Sequence, residues 1–134
     1  MAIRFILDSD VLIDLLADRE PAATIIPTLL ELEVAATTAV TVYELYSGAG
    51  RAGDRRDLNT LLSSLTILPL DARSARYAGA VDHSLRRDGH PINPGDTLIA
   101  GICLANSLAI VSRNVRHFER VTGLRVISLQ DLVV

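Results

Sequence analysis

FILDSDVLID, residues 5–14, decides the architecture. The apolar run over residues 3–7 has the length of a buried strand, and VLIDLLA, residues 11–17, places apolar side chains at helical spacing. Strand, tight turn and helix together open a parallel crossover unit. Two acids, Asp8 and Asp10, occupy the joint. Carboxylates are seldom buried without a partner, so three readings are open: a helix cap, a phosphoenzyme nucleophile or a metal ligand.

Outward from that joint the alternation continues. A second helix is expected at 21–31, a strand at 34–40 and a helix at 41–48, followed by the loop GAGRAGDRR and a helix at 57–65. Then come a strand at 66–70, an amphipathic helix at 73–87 ended by Asp88-Gly89, the turn HPINPG and an apolar helix at 96–105. A strand at 108–112, a short helix at 115–120 and a strand at 125–128 complete the pattern. Strands interleaved with helices predict an α/β fold, a three-layer α/β/α sandwich on a central parallel sheet of about five strands, as one domain over 1–134. Ligands of such sheets sit outside the carboxyl ends of the strands.

Composition bounds the partners. The chain has 134 residues, 49% hydrophobic and 22% charged, enough for a real core. No apolar stretch reaches the roughly 20 residues of a membrane span, and the N-terminus lacks a signal-type pattern, so a cytoplasmic location without membrane contact is expected. Cys103 stands alone in LIAGICLA and reads as a core thiol, which leaves oxygen ligands for any metal. Residues 1–50 carry eight acids against two arginines, and residues 51–134 eight acids against eleven. All basic residues are arginine, a pattern that codon bias explains and that also permits a phosphate partner.

Each acid has a plain structural role open to it. Asp8 ends the first strand and Ser9 or Asp10 can cap the next helix. Thr41-x-x-Glu44 reads as a capping box. With Asn93 as cap, Asp96 lies in a first helical turn, and Asn114 can cap the helix after the fourth strand. Taken together, however, Asp8, Glu44, Asp96 and Asn114 all fall after a strand or at a helix start, hence on one edge of the sheet. Three converging carboxylates repel one another unless a cation neutralises them, and hard divalent ions take carboxylate oxygens.

LDSDVLID, TVYELYSG, GDTLIAG and VSRNVRHF, in this order over nearly the whole chain, resemble the PIN-domain ribonucleases, specifically the VapC-like toxins of toxin-antitoxin pairs. The resemblance implies an endoribonuclease dependent on one or two Mg²⁺ or Mn²⁺ ions, with Asp8, Glu44 and Asp96 as metal ligands and a metal-activated water as nucleophile. It implies products with 5′-phosphate and 3′-hydroxyl ends, a homodimer, and a cognate antitoxin as partner. Asn114 stands where an acid is common, offering an amide oxygen without charge, and His117 departs similarly. Ser9, Asp10, Ser112 and His117 are supporting candidates, and Arg113 and Arg116 candidates for RNA binding; Arg86 and Arg87 can instead serve a helix end.

Three rivals share these residues. Asp8-Ser9-Asp10 mimics the acid pair of haloacid-dehalogenase-like phosphatases, whose chemistry usually needs a lysine that this chain lacks. GAGRAG matches a dinucleotide fingerprint, but such a motif opens directly from a strand. A non-catalytic module that binds RNA or protein has Asn114 as its support. Tyr43, Tyr46 and Tyr77 are expected in the core or a dimer interface.

Overall fold

The computed structural model describes residues 2–50 and 52–132. Five strands, β1 (Phe5–Leu7), β2 (Ala35–Thr38), β3 (Thr66–Leu68), β4 (Ala109–Val111) and β5 (Val126–Ile127), form one sheet in the order β3-β2-β1-β4-β5. All four pairings are parallel, so the expected α/β/α sandwich is what forms. Among the described residues seven helices connect them: α1 (Ser9–Leu16), α2 (Ala22–Glu31), α3 (Ala39–Gly48), α4 (Ala52–Ser63), α5 (Ala72–Arg87), α6 (Pro94–Ala105) and α7 (Val115–Phe118). A 3₁₀ turn, Leu129–Asp131, follows β5 and was not anticipated. Among the described residues no helix is long and apolar enough to cross a membrane.

The two-residue period of the strands divides the core into two layers. Phe5, Leu7, Ala35, Ala109 and Val111 pack with α1, α2 and α4, while Ile6, Ala36 and Ile110 pack with α5, α6 and Phe118 of α7. Central β1 is in register with both neighbours, Phe5 opposite Ala35 and Ala109. The carboxyl ends of β1 and β4 therefore emerge side by side, and the N–H of Asp8 donates to the carbonyl of Val111 at 3.0 Å.

Three local expectations are corrected. The second strand ends at Thr38 rather than residue 40 because the Thr38 hydroxyl accepts the N–H of Thr41 at 3.0 Å, which starts α3 at Ala39. Thr41 is thus inside the helix, and the Thr41–Glu44 capping box does not form. Gly53 to Arg56, read as loop, belong to α4, whose Asp54 favours a first turn and whose Leu58 and Leu62 are buried; Arg51 of that stretch lies outside the described residues. Of the two places expected for the tyrosines, the core is excluded: α3 buries Val40, Thr41 and Leu45, and Tyr43 and Tyr46 lie off that stripe, exposed like Tyr77.

Helix α6 is apolar nearly all round because it is wedged between the sheet and α5. The wedge needs Gly101. A methyl group there would lie 2.6 Å from both the Ala78 Cβ and the Ser74 carbonyl oxygen of α5. Backbone cannot give way as a side-chain tip can, so Gly101→Ala is expected to cost about 1–3 kcal/mol or more, read from the midpoint of urea unfolding.

Candidate active site

Asp8 leaves β1 with its side chain 4% exposed and performs two tasks. Its Oδ1 accepts the N–H of Ser9 at 2.8 Å, capping α1, and its Oδ2 accepts the Ser112 hydroxyl from the end of β4 at 2.7 Å. The cap of α1 is thus Asp8 itself and not Ser9 or Asp10, which lie inside the helix because the Asp8 carboxylate already takes the first free N–H. Asp10, in the first turn of α1, turns Oδ2 to the same hydroxyl at 3.2 Å and to the backbone N–H of Arg113 at 3.0 Å. Ser112 also accepts the N–H of Asn114 at 2.9 Å, so one hydroxyl ties the loop after β4 to both aspartates.

Asp96 enters from the N-terminus of α6, where Pro94 occupies the first turn and Asn93 Oδ1 accepts the Asp96 N–H at 3.3 Å. Its Oδ2 receives the Asn114 amide nitrogen at 3.2 Å, and that nitrogen lies 2.9 Å from His117 Nδ1. His117 Nδ1 is itself 3.9 Å from Asp96. Asn114 makes no side-chain cap for α7. Its amide nitrogen is a donor that fixes Asp96.

Glu44 lies on α3, released from capping by Thr38, and its Oε2 rests over Gly95, where an added Cβ would come within 2.7 Å. The sequence reading missed Gly95, since the need for bare backbone there appears only once Glu44 is placed above it. It also missed Asp14, one helical turn after Asp10 and buried on α1.

Electrostatics agree with a crowd of like charges. Burial, then the charges of Asp10 and Asp96, push the Asp8 carboxyl up from 3.8 to about 7 against the hydrogen bonds of Ser112 and Ser9. Burial also raises Glu44, helped by Asp96 and Asp10 and opposed by Ser9. Asp96 is raised chiefly by burial and further by Asp10, while His117 and Asn114 hold it down. Two buried carboxylate oxygens, Asp10 Oδ1 and Glu44 Oε1, have no hydrogen-bond partner. Among the described residues no three acidic, histidine or cysteine side chains already enclose one point as a finished ion cage. The donor set nevertheless suits a hard divalent cation: carboxylate oxygens, two of them orphaned, in a pocket with excess negative charge.

The basic candidates differ. Arg113 is ion-paired to Asp14, Nε to Oδ2 at 2.9 Å, and Arg116 is exposed on α7. Arg86, in the last turn of α5, is ion-paired with Asp82 at 2.9 Å one turn back along the helix. Of the glycines of GAGRAG, Gly48 ends α3, Gly50 lies between α3 and α4 and Gly53 is inside α4, so none follows a strand, which removes the context of a dinucleotide fingerprint.

A parallel sheet in this order, with Asp8, Asp10, Glu44 and Asp96 gathered outside its carboxyl edge, defines an acidic-pocket α/β domain. The chain belongs to the PIN domain family, whose model matches residues 5–124. It is 38% identical over 92 residues to the tRNA(fMet)-specific endonuclease VapC of Shigella flexneri, covering 66% of this chain and 70% of that protein. Its fold superimposes on DNA-bound VapBC from Salmonella typhimurium with a TM-score of 0.83 at 28% identity, covering 95% of this chain and 98% of the other. VapBC-5 from Mycobacterium tuberculosis, a member of the VapBC family of toxin-antitoxin systems, shares the fold with a TM-score of 0.67 at 22% identity over 95% and 96% of the two chains.

Proposed function

We propose that this chain is an endoribonuclease, the toxin of a toxin-antitoxin pair held in check by a cognate antitoxin, and that it hydrolyses RNA phosphodiester bonds with the help of Mg²⁺ or Mn²⁺. The family membership and the VapC relatives support the reaction class. The observation that carries the metal requirement is the crowd itself: three carboxylates with raised proton affinity, Asp8, Glu44 and Asp96, one of them with a buried orphan oxygen and a second such oxygen on Asp10. Asp8, Glu44 and Asp96 would hold the cation, with Asp10 adding charge beside them. When bound, Mg²⁺ or Mn²⁺ supplies an acidified water nucleophile and stabilises charge on the phosphoryl oxygens.

The chain's own groups do the rest by position. Ser112 keeps Asp8 and Asp10 facing one another across the strand ends, and Asn114 aims Asp96. Arg113 and Arg116 offer guanidinium donors to the RNA backbone. Asp8, its carboxyl pushed up to about 7, would give up the proton it shares near neutrality in order to hold a cation. No side chain is required as nucleophile. Two copies are expected to associate as a homodimer.

Purified protein freed of nucleases is expected to cut single-stranded RNA to 5′-phosphate and 3′-hydroxyl ends. EDTA should abolish cleavage, and excess Mn²⁺ should restore it. Undiminished cutting after chelation rejects the metal requirement. Binding of RNA without any cleavage under either condition would favour the non-catalytic reading.

A further inference from the structure

Asp14 has a setting that the pocket chemistry leaves unused. It is 8% exposed, four residues beyond Asp10 on the same face of α1. Its two oxygens meet two arginines from different connections: Oδ2 meets Arg113 Nε at 2.9 Å, after β4, and Oδ1 meets Arg19 Nη1 at 3.4 Å, after α1. Both arginine side chains remain largely exposed, 61% for Arg113 and 64% for Arg19. One anion between two cations leaves the group a net positive charge.

Isolated arginines at a surface are well solvated, and burying a carboxylate to hold them is not a general route to stability. The pair does, however, restrain the Arg113 side chain. Arg113 is pinned twice, its backbone N–H on Asp10 Oδ2 at 3.0 Å and its Nε on Asp14. Both terminal nitrogens stay without a protein partner among the described residues, at the wall of the acidic pocket. A pre-set planar fork of N–H donors suits a phosphate, and it loses less freedom on binding than a loose side chain.

We propose that Asp14 is a positioning residue for substrate: it holds Arg113, with Arg19 beside it, to grip an RNA phosphate flanking the one that is cleaved. This rests on the ribonuclease reading above. Were Asp14 only a neutraliser of excess positive charge, its removal would strengthen RNA binding, so the sign of the effect decides.

The test is steady-state cleavage of a fluorescent single-stranded RNA with Mn²⁺ over a range of salt, for Asp14→Ala, Arg113→Ala and the double variant. Asp14→Ala should raise KM about five-fold with kcat changed less than about two-fold. Arg113→Ala should raise KM about ten-fold and flatten its salt dependence, and the double variant should be no worse than Arg113→Ala alone. An unchanged or lower KM in Asp14→Ala, or losses that multiply in the double variant, would overturn the proposal while leaving the nuclease intact. If circular dichroism shows Asp14→Ala unfolded, Arg113→Lys replaces it, keeping the charge but losing the Nε contact, with the same KM rise expected and the same overturning result. Wild-type cleavage that survives Asp8→Asn would instead bring down the nuclease reading, and this inference with it.

Discussion

Metal-free Asp8→Asn protein is expected to be more stable than the wild type at pH 8, and yet to lose RNA cleavage by at least about a hundred- to a thousand-fold. The two effects have one cause. In the folded chain the Asp8 carboxyl titrates at about 7 instead of 3.8, so the folded state holds its proton more tightly than the unfolded state does. The stability linked to that proton is fully present below 3.8 and is lost as pH rises through 7. At about 1.4 kcal/mol per pH unit, the loss is on the order of 4 kcal/mol. Asparagine removes the charge and keeps the bonds, its oxygen accepting from Ser9 and its amide donating to Ser112. The gap in unfolding free energy between variant and wild type should be wide at pH 8 and should close towards pH 4. Added Mn²⁺ should stabilise the wild type at pH 8 and leave the variant unmoved. Equal denaturation midpoints for the two metal-free proteins at pH 8 would refute the account.

Gly95→Ala is expected to separate activity from folding in the other direction. The new methyl meets Glu44 Oε2 at 2.7 Å and Asn93 Oδ1 at 3.2 Å, and no backbone atom is closer. The tip of Glu44 can swing away, so the fold should survive with little change in melting temperature. Activity should not. A displacement of about an ångström in a reacting site costs on the order of a hundred-fold, and Glu44 has no other support for its Oε1. Activity assays beside thermal denaturation check this, and retention of full cleavage would remove Glu44 from the pocket's chemistry. The contrast with Gly101→Ala, which meets the backbone of α5, shows that two glycines of one helix serve opposite ends of the same problem.

Asp8 and Asp96 were legible because they stand at a strand end and a helix start that hydrophobic pattern alone locates, and Glu44 because it lies on the helix that leaves the second strand, although in its middle rather than its first turn. Asp8, Glu44 and Asp96 needed no distances to be suspected, only the rule that parallel strands bring their carboxyl ends together. What stayed hidden depends on pairs of residues far apart. Thr38 and Thr41 are chemically equal candidates for a cap, and only the point at which β2 leaves the sheet selects Thr38. Gly95 is uninformative until Glu44 lies over it, and Asp14 until two arginines from separate loops close on it. The start of α4 was hidden by its glycine, which reads as a loop signal and here is carried inside a helix that Leu58 and Leu62 anchor to the core.

The hydroxyl that joins the two central strand ends comes 104 positions after the aspartate it holds. While the ribosome is still short of Ser112, the nascent polypeptide has its acids but neither the neighbouring strand nor the groups that aim them. Assembly of the pocket is thereby postponed until Ser112 has been translated and β4 has docked beside β1.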